Sequence, residues 1–228
     1  MIEENIARVA AALPEGVKLV AVSKTKPVAD IEAAYRAGQR AFGENYATEL
    51  RDKHAQLPAD IEWHFIGHLQ AKQLKYYIDF VKLIHGVDSA EHLDAVEQAA
   101  AKAGRVVDVL LQVHVAQEET KFGFLPGELL DLGAEGLVGR PHVRVCGLMG
   151  MASHTDDKER VRADFRAVRQ LFDRLREGVF VGRPEFREVS MGMSGDYPIA
   201  VEEGSTLVRI GSSIFGARDY GQRVQTGE

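Results

Sequence analysis

Apolar positions along this chain switch repeatedly between two periods, continuous or alternating β-branched runs and stripes spaced three and four apart, and each switch marks an element. Ile2, Ile6, Val9 and Leu13 fall at helical spacing before Pro14 and Gly16 stop the pattern, which predicts a leading amphipathic helix. Val17 to Lys24 follows as a run that reads as a strand buried on both faces, as in a parallel sheet; Val20, Val22 and Lys24 share one face, Leu19, Ala21 and Ser23 the other. The pattern then predicts a helix over 30–38 ended by Gly38, a strand over 39–45, a helix to about His54, a strand over 61–67, a helix over 69–77 and a strand over 81–87. A helix over 89–103 has Ser89 as its N-cap and Gly104 as its stop. Val106 to Val115 is the strongest strand of all. A helix over 128–132, a strand over 142–148, a long helix striped by Val161, Phe165, Val168, Phe172 and Leu175, and strands over 186–190 and 205–210 around a short helix at 197–202 complete the series.

Eight strands alternating with helices predict a single (β/α)8 barrel domain over residues 1–228, with an extra N-terminal helix and a polar, loose tail over 219–228. A doubly wound open sheet is the alternative. In a barrel the working face lies at the carboxyl ends of the strands, so chemistry is sought there.

Composition narrows the picture only a little. A formal charge of −6 speaks against a general nucleic-acid or anionic-membrane binder, and the arginines of the long helix are interleaved with Asp164, Asp173 and Glu177, which reads as a solvated face. The lone cysteine, Cys146, sits in an apolar strand and can form neither an intrachain disulfide nor a cysteine metal cluster. The first residues have no signal-peptide pattern and no run approaches the ~20 apolar residues of a membrane helix, so a cytoplasmic protein is expected. His64 and His68 are four apart but on a strand and turn, where that spacing does not make a metal site.

Lys24, at the end of the first strand, is either a lysine that snorkels to solvent or a desolvated amine able to attack a carbonyl and form a Schiff base. The later strand ends favour the second reading. Ser190 to Asp196 places Ser194 as the cap of a short helix, and Arg209 to Gly216 ends a strand in Gly211-Ser212-Ser213, which offers free backbone N–H groups and hydroxyls. Each loop alone is compatible with ordinary turn chemistry; together, after the seventh and eighth strands, they occupy the usual phosphate-binding place of a barrel. Arg209 shares a face with Leu207 and Gly211, and a guanidinium facing inward needs an acceptor, either a protein carboxylate or a ligand anion or ring nitrogen. An amine, a phosphate cup and an arginine at the ring describe a site for pyridoxal 5′-phosphate.

At these residues the chain resembles a known family. Ala21-Val22-Ser23-Lys24-Thr25-Lys26-Pro27, Phe42-Gly43-Glu44-Asn45, His64-Phe65-Ile66-Gly67-His68-Leu69-Gln70, Gly147-Leu148-Met149, Ser190-Met191-Gly192-Met193-Ser194 and Val208-Arg209-Ile210-Gly211 to Phe215-Gly216 are similar to the YggS/PROSC family of pyridoxal phosphate homeostasis proteins, in order along nearly the whole chain. The resemblance implies a barrel of the alanine racemase N-terminal type. It puts the aldimine on Lys24, pairs Arg209 with the pyridine nitrogen, gives the phosphate to Ser194, Gly211 and Ser212, and lines the cofactor with Asn45, His64 and Met149. Lys26 and Lys121 match positions where the family often keeps lysines, candidates for cofactor transfer. Lys72-Gln73 departs from the Asn-Lys of many members.

The expected activity is cofactor holding and delivery to apo-enzymes by a monomer, with an amino-acid racemase as the alternative and with no catalytic or metal-ligating residue assigned. An arginine facing the pyridine nitrogen keeps it unprotonated and weakens the ring as an electron sink. A racemase also needs an acid/base on each face of the substrate, and the second base has no evident source in a chain that stops soon after its eighth strand.

Overall fold

The computed structural model describes residues 1–117 and 122–216; Lys121 and the tail from Asp219 lie outside them. After the helix α1 (Ile2–Ala12), strands and helices alternate: β1 (Lys18–Val22), α2 (Val28–Arg36), β2 (Ala41–Glu44), α3 (Ala47–His54), β3 (Glu62–Phe65), a 3-10 helix (Ala71–Tyr76), β4 (Leu83–Val87), α4 (Ala90–Lys102), β5 (Val107–Val113), α5 (Pro126–Val138), β6 (Val143–Gly150), α6 (Lys158–Glu177), β7 (Glu188–Ser190), α7 (Tyr197–Glu202), β8 (Leu207–Ile210) and α8 (Ser212–Phe215). Each strand pairs in parallel with the next, and β8 pairs with β1 through Val20 opposite Arg209 and Ala21 opposite Ile210. The sheet closes into a barrel, and the open-sheet alternative falls.

Closure separates two apolar layers. The larger lies between the strands and the helices, where Phe42, Trp63, Phe65, Phe165 and Phe172 are all buried, and the helical stripe of α6 supplies its share as its spacing predicts. The smaller fills the barrel interior with Val20, Leu83, Leu110, Cys146, Met149 and Leu207. Val20 thus faces inward and Ala21 outward, the alternation read from the first strand.

Local differences from the expected elements have physical causes. β1 ends at Val22 because the Ser23 N–H makes the last sheet bond, to Gly43 O at 3.0 Å, and Thr25 then takes a left-handed backbone with φ 62°. Residues 71–76 wind as a 3-10 helix, and α5 is longer than expected, with a break at Gly133. Asp164 is buried rather than solvated: its Oδ1 meets Arg160 Nη2 at 2.7 Å and its Oδ2 accepts from Ser153 N at 2.8 Å. Three other arginines of α6 are paired, Arg162 and Arg166 with Glu203 just past α7 and Arg169 with Asp173. Ser89 caps α4, accepting from His92 N at 3.1 Å, and Gly104 beyond its end has φ 65°.

α1 is tied to the far end of the barrel. Asn5 Nδ2 donates to Ile214 O at 2.9 Å and Arg8 Nη2 to Ser213 O at 3.2 Å, so the first helix braces α8.

Gly147 is where β6 meets β7 most closely: with φ 154°, a Cβ there would stand 1.8 Å from Glu188 O. Gly147→Ala is expected to lower the unfolding free energy by about 3 kcal/mol or more, at or beyond the upper end of overpacking costs. Gly127→Ala, whose Cβ would meet nothing within 4 Å, is expected to stay within about 1 kcal/mol of the parent on the favourable side. Urea unfolding midpoints measured in parallel check both.

Candidate functional site

At the carboxyl ends of the strands a cavity of about 290 Å3 opens between β1, β2, β3 and the loops after β6, β7 and β8. Lys24 and Lys26 line it from the turn after β1, Asn45 from just past β2, Ile66 from just past β3 and Met151 from beyond β6. Ser194, Gly195, Arg209, Gly211 and Ser212 close the opposite wall. Ser194 does not cap α7; Asp196 holds that position, and Ser194 Oγ instead accepts from Gly211 N at 3.2 Å, joining the two serine-rich loops. The first turn of α8 leaves the N–H groups of Ser212 and Ser213 without intrahelical acceptors. Asn45 Oδ1 is buried with no hydrogen-bond partner, which marks it as an acceptor awaiting a donor.

The turn that carries Lys24 is clamped from below. Lys53 is 5% exposed, and its three ammonium donors are all spent: Nζ donates to Ser23 O at 2.7 Å, to Glu44 Oε1 at 2.8 Å and to Glu49 Oε1 at 2.7 Å. Ser23 Oγ donates to Glu44 Oε1 at 2.6 Å, and Thr25 N to Glu49 Oε1 at 2.6 Å. The residues on both sides of Lys24 are thereby fixed, and the left-handed Thr25 is held in a conformation a β-branched residue rarely takes. Burial pushes the Glu44 carboxyl up to about 7 against the pull of Lys53, and its Oε2 has no partner.

Arg209 is 5% exposed and carries no carboxylate partner within ion-pair distance among the described residues. Its Nη1 donates to Ser190 O at 2.8 Å and to Ser190 Oγ at 2.5 Å, and its Nη2 to Gly150 O at 3.2 Å. Nε–H and one Nη2 hydrogen remain unclaimed. Desolvation pulls the guanidinium down to about 10, with Asp196 opposing it, so the group stays cationic at neutral pH.

Of the residues expected at the site, Lys24, Asn45, Ser194, Arg209, Gly211 and Ser212 meet around one cavity. His64 and Met149 do not line it. Met149 belongs to the packed barrel interior below, and Met151, two residues on, takes the wall. His64 opens on the opposite, amino-terminal mouth, an open basin of about 720 Å3 that it shares with Lys18, Lys82, Cys146 and others. Its Nδ1 lies 2.8 Å from His85 Nε2. The Cys146 thiol, facing the same basin, is pushed up to about 12 by burial, which fits a packing residue and not a nucleophile. The Lys53 clamp was missed in the sequence, although Glu49 and Lys53 stand at the i,i+4 spacing that pairs charges on a helix.

Lys53→Met would strand Glu44, Glu49 and the Ser23 carbonyl, and is expected to cost about 3–5 kcal/mol of stability, the range for breaking one side of a buried ion pair. Glu44→Gln tests the carboxyl itself. Because its folded value of about 7 lies above the usual 4.5, the folded protein keeps a proton that the unfolded chain has released between those values. Stability contributed by this group therefore falls as pH rises from 4.5 to about 7, and the glutamine variant should lose that decline in denaturation series across the window.

Comparison with known proteins agrees with the barrel fold. Residues 1–219 match the family model of the alanine racemase N-terminal domain. A pyridoxal phosphate homeostasis protein of Pasteurella multocida is 39% identical over 232 residues, covering 96% of this chain and 98% of that protein. Two structures of PipY from Synechococcus elongatus, 35% identical, cover 95% of this chain and 100% of theirs, with TM-scores of 0.88 without pyridoxal phosphate and 0.85 with it bound. With a family match along almost its whole length and relatives this similar, the chain belongs to the alanine racemase N-terminal-domain family, in the group of the pyridoxal phosphate homeostasis proteins.

Proposed function

We propose that this protein binds pyridoxal 5′-phosphate in the cavity above the barrel, and that it holds and delivers the cofactor to apo-enzymes rather than turning over amino acids. The observation that carries this reading is the company Arg209 keeps: a buried cation without a carboxylate, sharing a cavity with two lysines, an orphaned amide oxygen and two serine-rich loops. No carboxylate lines that wall among the described residues, so its charge balance favours an anion.

The donor set fits the cofactor in three places. Ser194 and Ser212 offer hydroxyls, and the backbone at Ser212 and Ser213 offers N–H groups, to a phosphate, with the Gly211 N–H turned to Ser194 Oγ. Asn45 offers its oxygen to a ring hydroxyl, and Arg209 offers its unclaimed N–H groups to the ring nitrogen. When bound, pyridoxal phosphate supplies an aldehyde that condenses with amines and a ring that can draw off electrons. Lys24 presents the amine, on a turn whose flanks cannot move independently of Lys53. Arg209, still cationic at neutral pH, would donate to the ring nitrogen while keeping its own proton, which would limit the electron-drawing power of the ring. Met149 packs in the barrel interior beneath the cavity, and His64 stands farther off at the amino-terminal mouth.

Delivery over turnover is supported by what the wall lacks. Among the described residues lining the cavity, Lys24 and Lys26 are the two amines, and Lys26 Nζ already donates to Phe215 O at 3.0 Å. Racemisation needs a proton donor and acceptor on opposite faces. The racemase reading keeps its place as the second because Lys26 stands near Lys24.

The purified protein should absorb visible light after incubation with pyridoxal phosphate, and borohydride followed by peptide mapping should find the added mass on Lys24. Lys24→Ala should lose both signals. A protein that stays colourless overturns the cofactor reading. Exchange of an amino acid's Cα proton with solvent at enzymatic rates, with no transfer of cofactor to an added apo-enzyme, overturns delivery in favour of the racemase.

A further inference from the structure

Four side chains cross the barrel in an unbroken line. His64 on β3 meets His85 on β4 at 2.8 Å; His85 Nδ1 meets Ser190 Oγ, on β7 across the interior, at 2.9 Å; and Ser190 Oγ meets Arg209 Nη1 at 2.5 Å. All four are buried, with His85 and Ser190 fully enclosed. The line runs from the amino-terminal basin, which His64 lines, to the cavity that Arg209 lines.

The direction of every bond in it follows from Arg209. A guanidinium only donates, so Ser190 Oγ accepts from it. The hydroxyl hydrogen of Ser190 then needs its own acceptor, and His85 Nδ1 is the one within reach. His85 must therefore carry its hydrogen on Nε2, where it donates to His64 Nδ1. His64 in turn carries its hydrogen on Nε2, toward the basin. Reversing the line would leave the Ser190 hydroxyl hydrogen buried and unpaired, a cost of about 1–3 kcal/mol.

We propose that Ser190, His85 and His64 form a one-way hydrogen-bonded chain that holds the guanidinium of Arg209 in a single orientation in the cavity. Ser190 and His85 are positioning residues: neither lines the cavity, and both act through Arg209. That the orientation serves a bound pyridoxal ring rests on the function proposed above; the chain itself does not.

The surrounding charges are compatible with two neutral rings. His64 is pulled down to about 3 and His85 well below its ordinary value, desolvation being the main cause, with Lys18 and Lys82 facing His64, and His64 and Arg209 facing His85. Arg144 and Arg187 also line that basin, and Glu62, Asp108, Glu185 and Glu188 offset its four cations, while Asp196 acts on Arg209 from the start of α7. Protonation of His64 would put a hydrogen on its Nδ1, force His85 to turn its acceptor toward it, and leave Ser190 accepting twice.

The test uses the cofactor-free protein, so it succeeds or fails independently of whether pyridoxal phosphate binds. Nitrogen-15 spectra of the imidazoles, assigned with His64→Gln and His85→Asn, should show both rings with hydrogen on Nε2 and neither titrating between pH 8 and pH 5. Hydrogen on His85 Nδ1, or protonation of either ring in that range, overturns the chain. The second readout is solvent exchange of the Arg209 Nε–H. His85→Asn can place an oxygen near the position of Nδ1 and keep an acceptor for Ser190, whereas His85→Phe cannot. Exchange should stay within about threefold of the parent in the asparagine variant and rise at least about tenfold in the phenylalanine variant, as expected for loss of a hydrogen-bond network around a charged group. Equal exchange in the parent and both variants overturns the positioning role. If the phenylalanine protein does not fold, Ser190→Ala is read in its place with the same expectation.

Discussion

A buried guanidinium without a carboxylate sets the terms for the upper half of this barrel. Arg209 faces inward on β8, where an unpaired charge is costly, and the fold meets that cost with dipoles in place of an opposite charge. The carbonyls of Gly150 and Ser190 point at it from the ends of β6 and β7, and the Ser190 hydroxyl adds a third acceptor. Three strands must end in register for this to work. β7 has three residues, of which Ser190 is the last, and Gly147 lets β6 approach it.

The other side of the cavity solves the opposite problem. Around Lys24 the buried charges are matched within the chain: one ammonium answers two carboxylates and a carbonyl, and the turn is locked as a result. Charge is balanced where the backbone has to be rigid and left open where a ligand is to arrive. The two halves share the sheet seam between β1 and β8, in which Val20 stands opposite Arg209.

Most of this was visible in the order of residues. The alternation in Val17 to Lys24 separates interior from exterior positions correctly, and eight switches of period are enough to indicate a barrel. Lys24, Asn45, Ser194, Arg209, Gly211 and Ser212 could be placed together because the carboxyl end of a barrel strand is a position that sequence reveals. Depth within the barrel is harder to read. His64 and Met149 face inward as alternation requires, but how far each stands from the upper mouth depends on strand stagger and on the register shift between β5 and β6, which no single strand encodes. Asp164 and Lys53 were obscured for a related reason: a charged residue on a helix reads as solvated until a partner from a different element, here Ser153 for Asp164 or Glu44 and Ser23 for Lys53, is brought to it.

The bracing of α8 by α1 bears on how the cavity comes into being. Lys24 follows β1 and Arg209 lies on β8, strands that neighbour each other in space and stand at opposite ends of the barrel order, and α8 leans through Ile214 and Ser213 on a helix that begins at residue 2. These are contacts of the greatest sequence separation, the last to become available as a chain emerges during synthesis. A nascent chain lacking β8 would have the lysine but neither the arginine nor the serine loop. Competence to hold a ligand is thus gained in one step, at closure, and a half-made barrel cannot trap the small molecule that the finished one is built to keep.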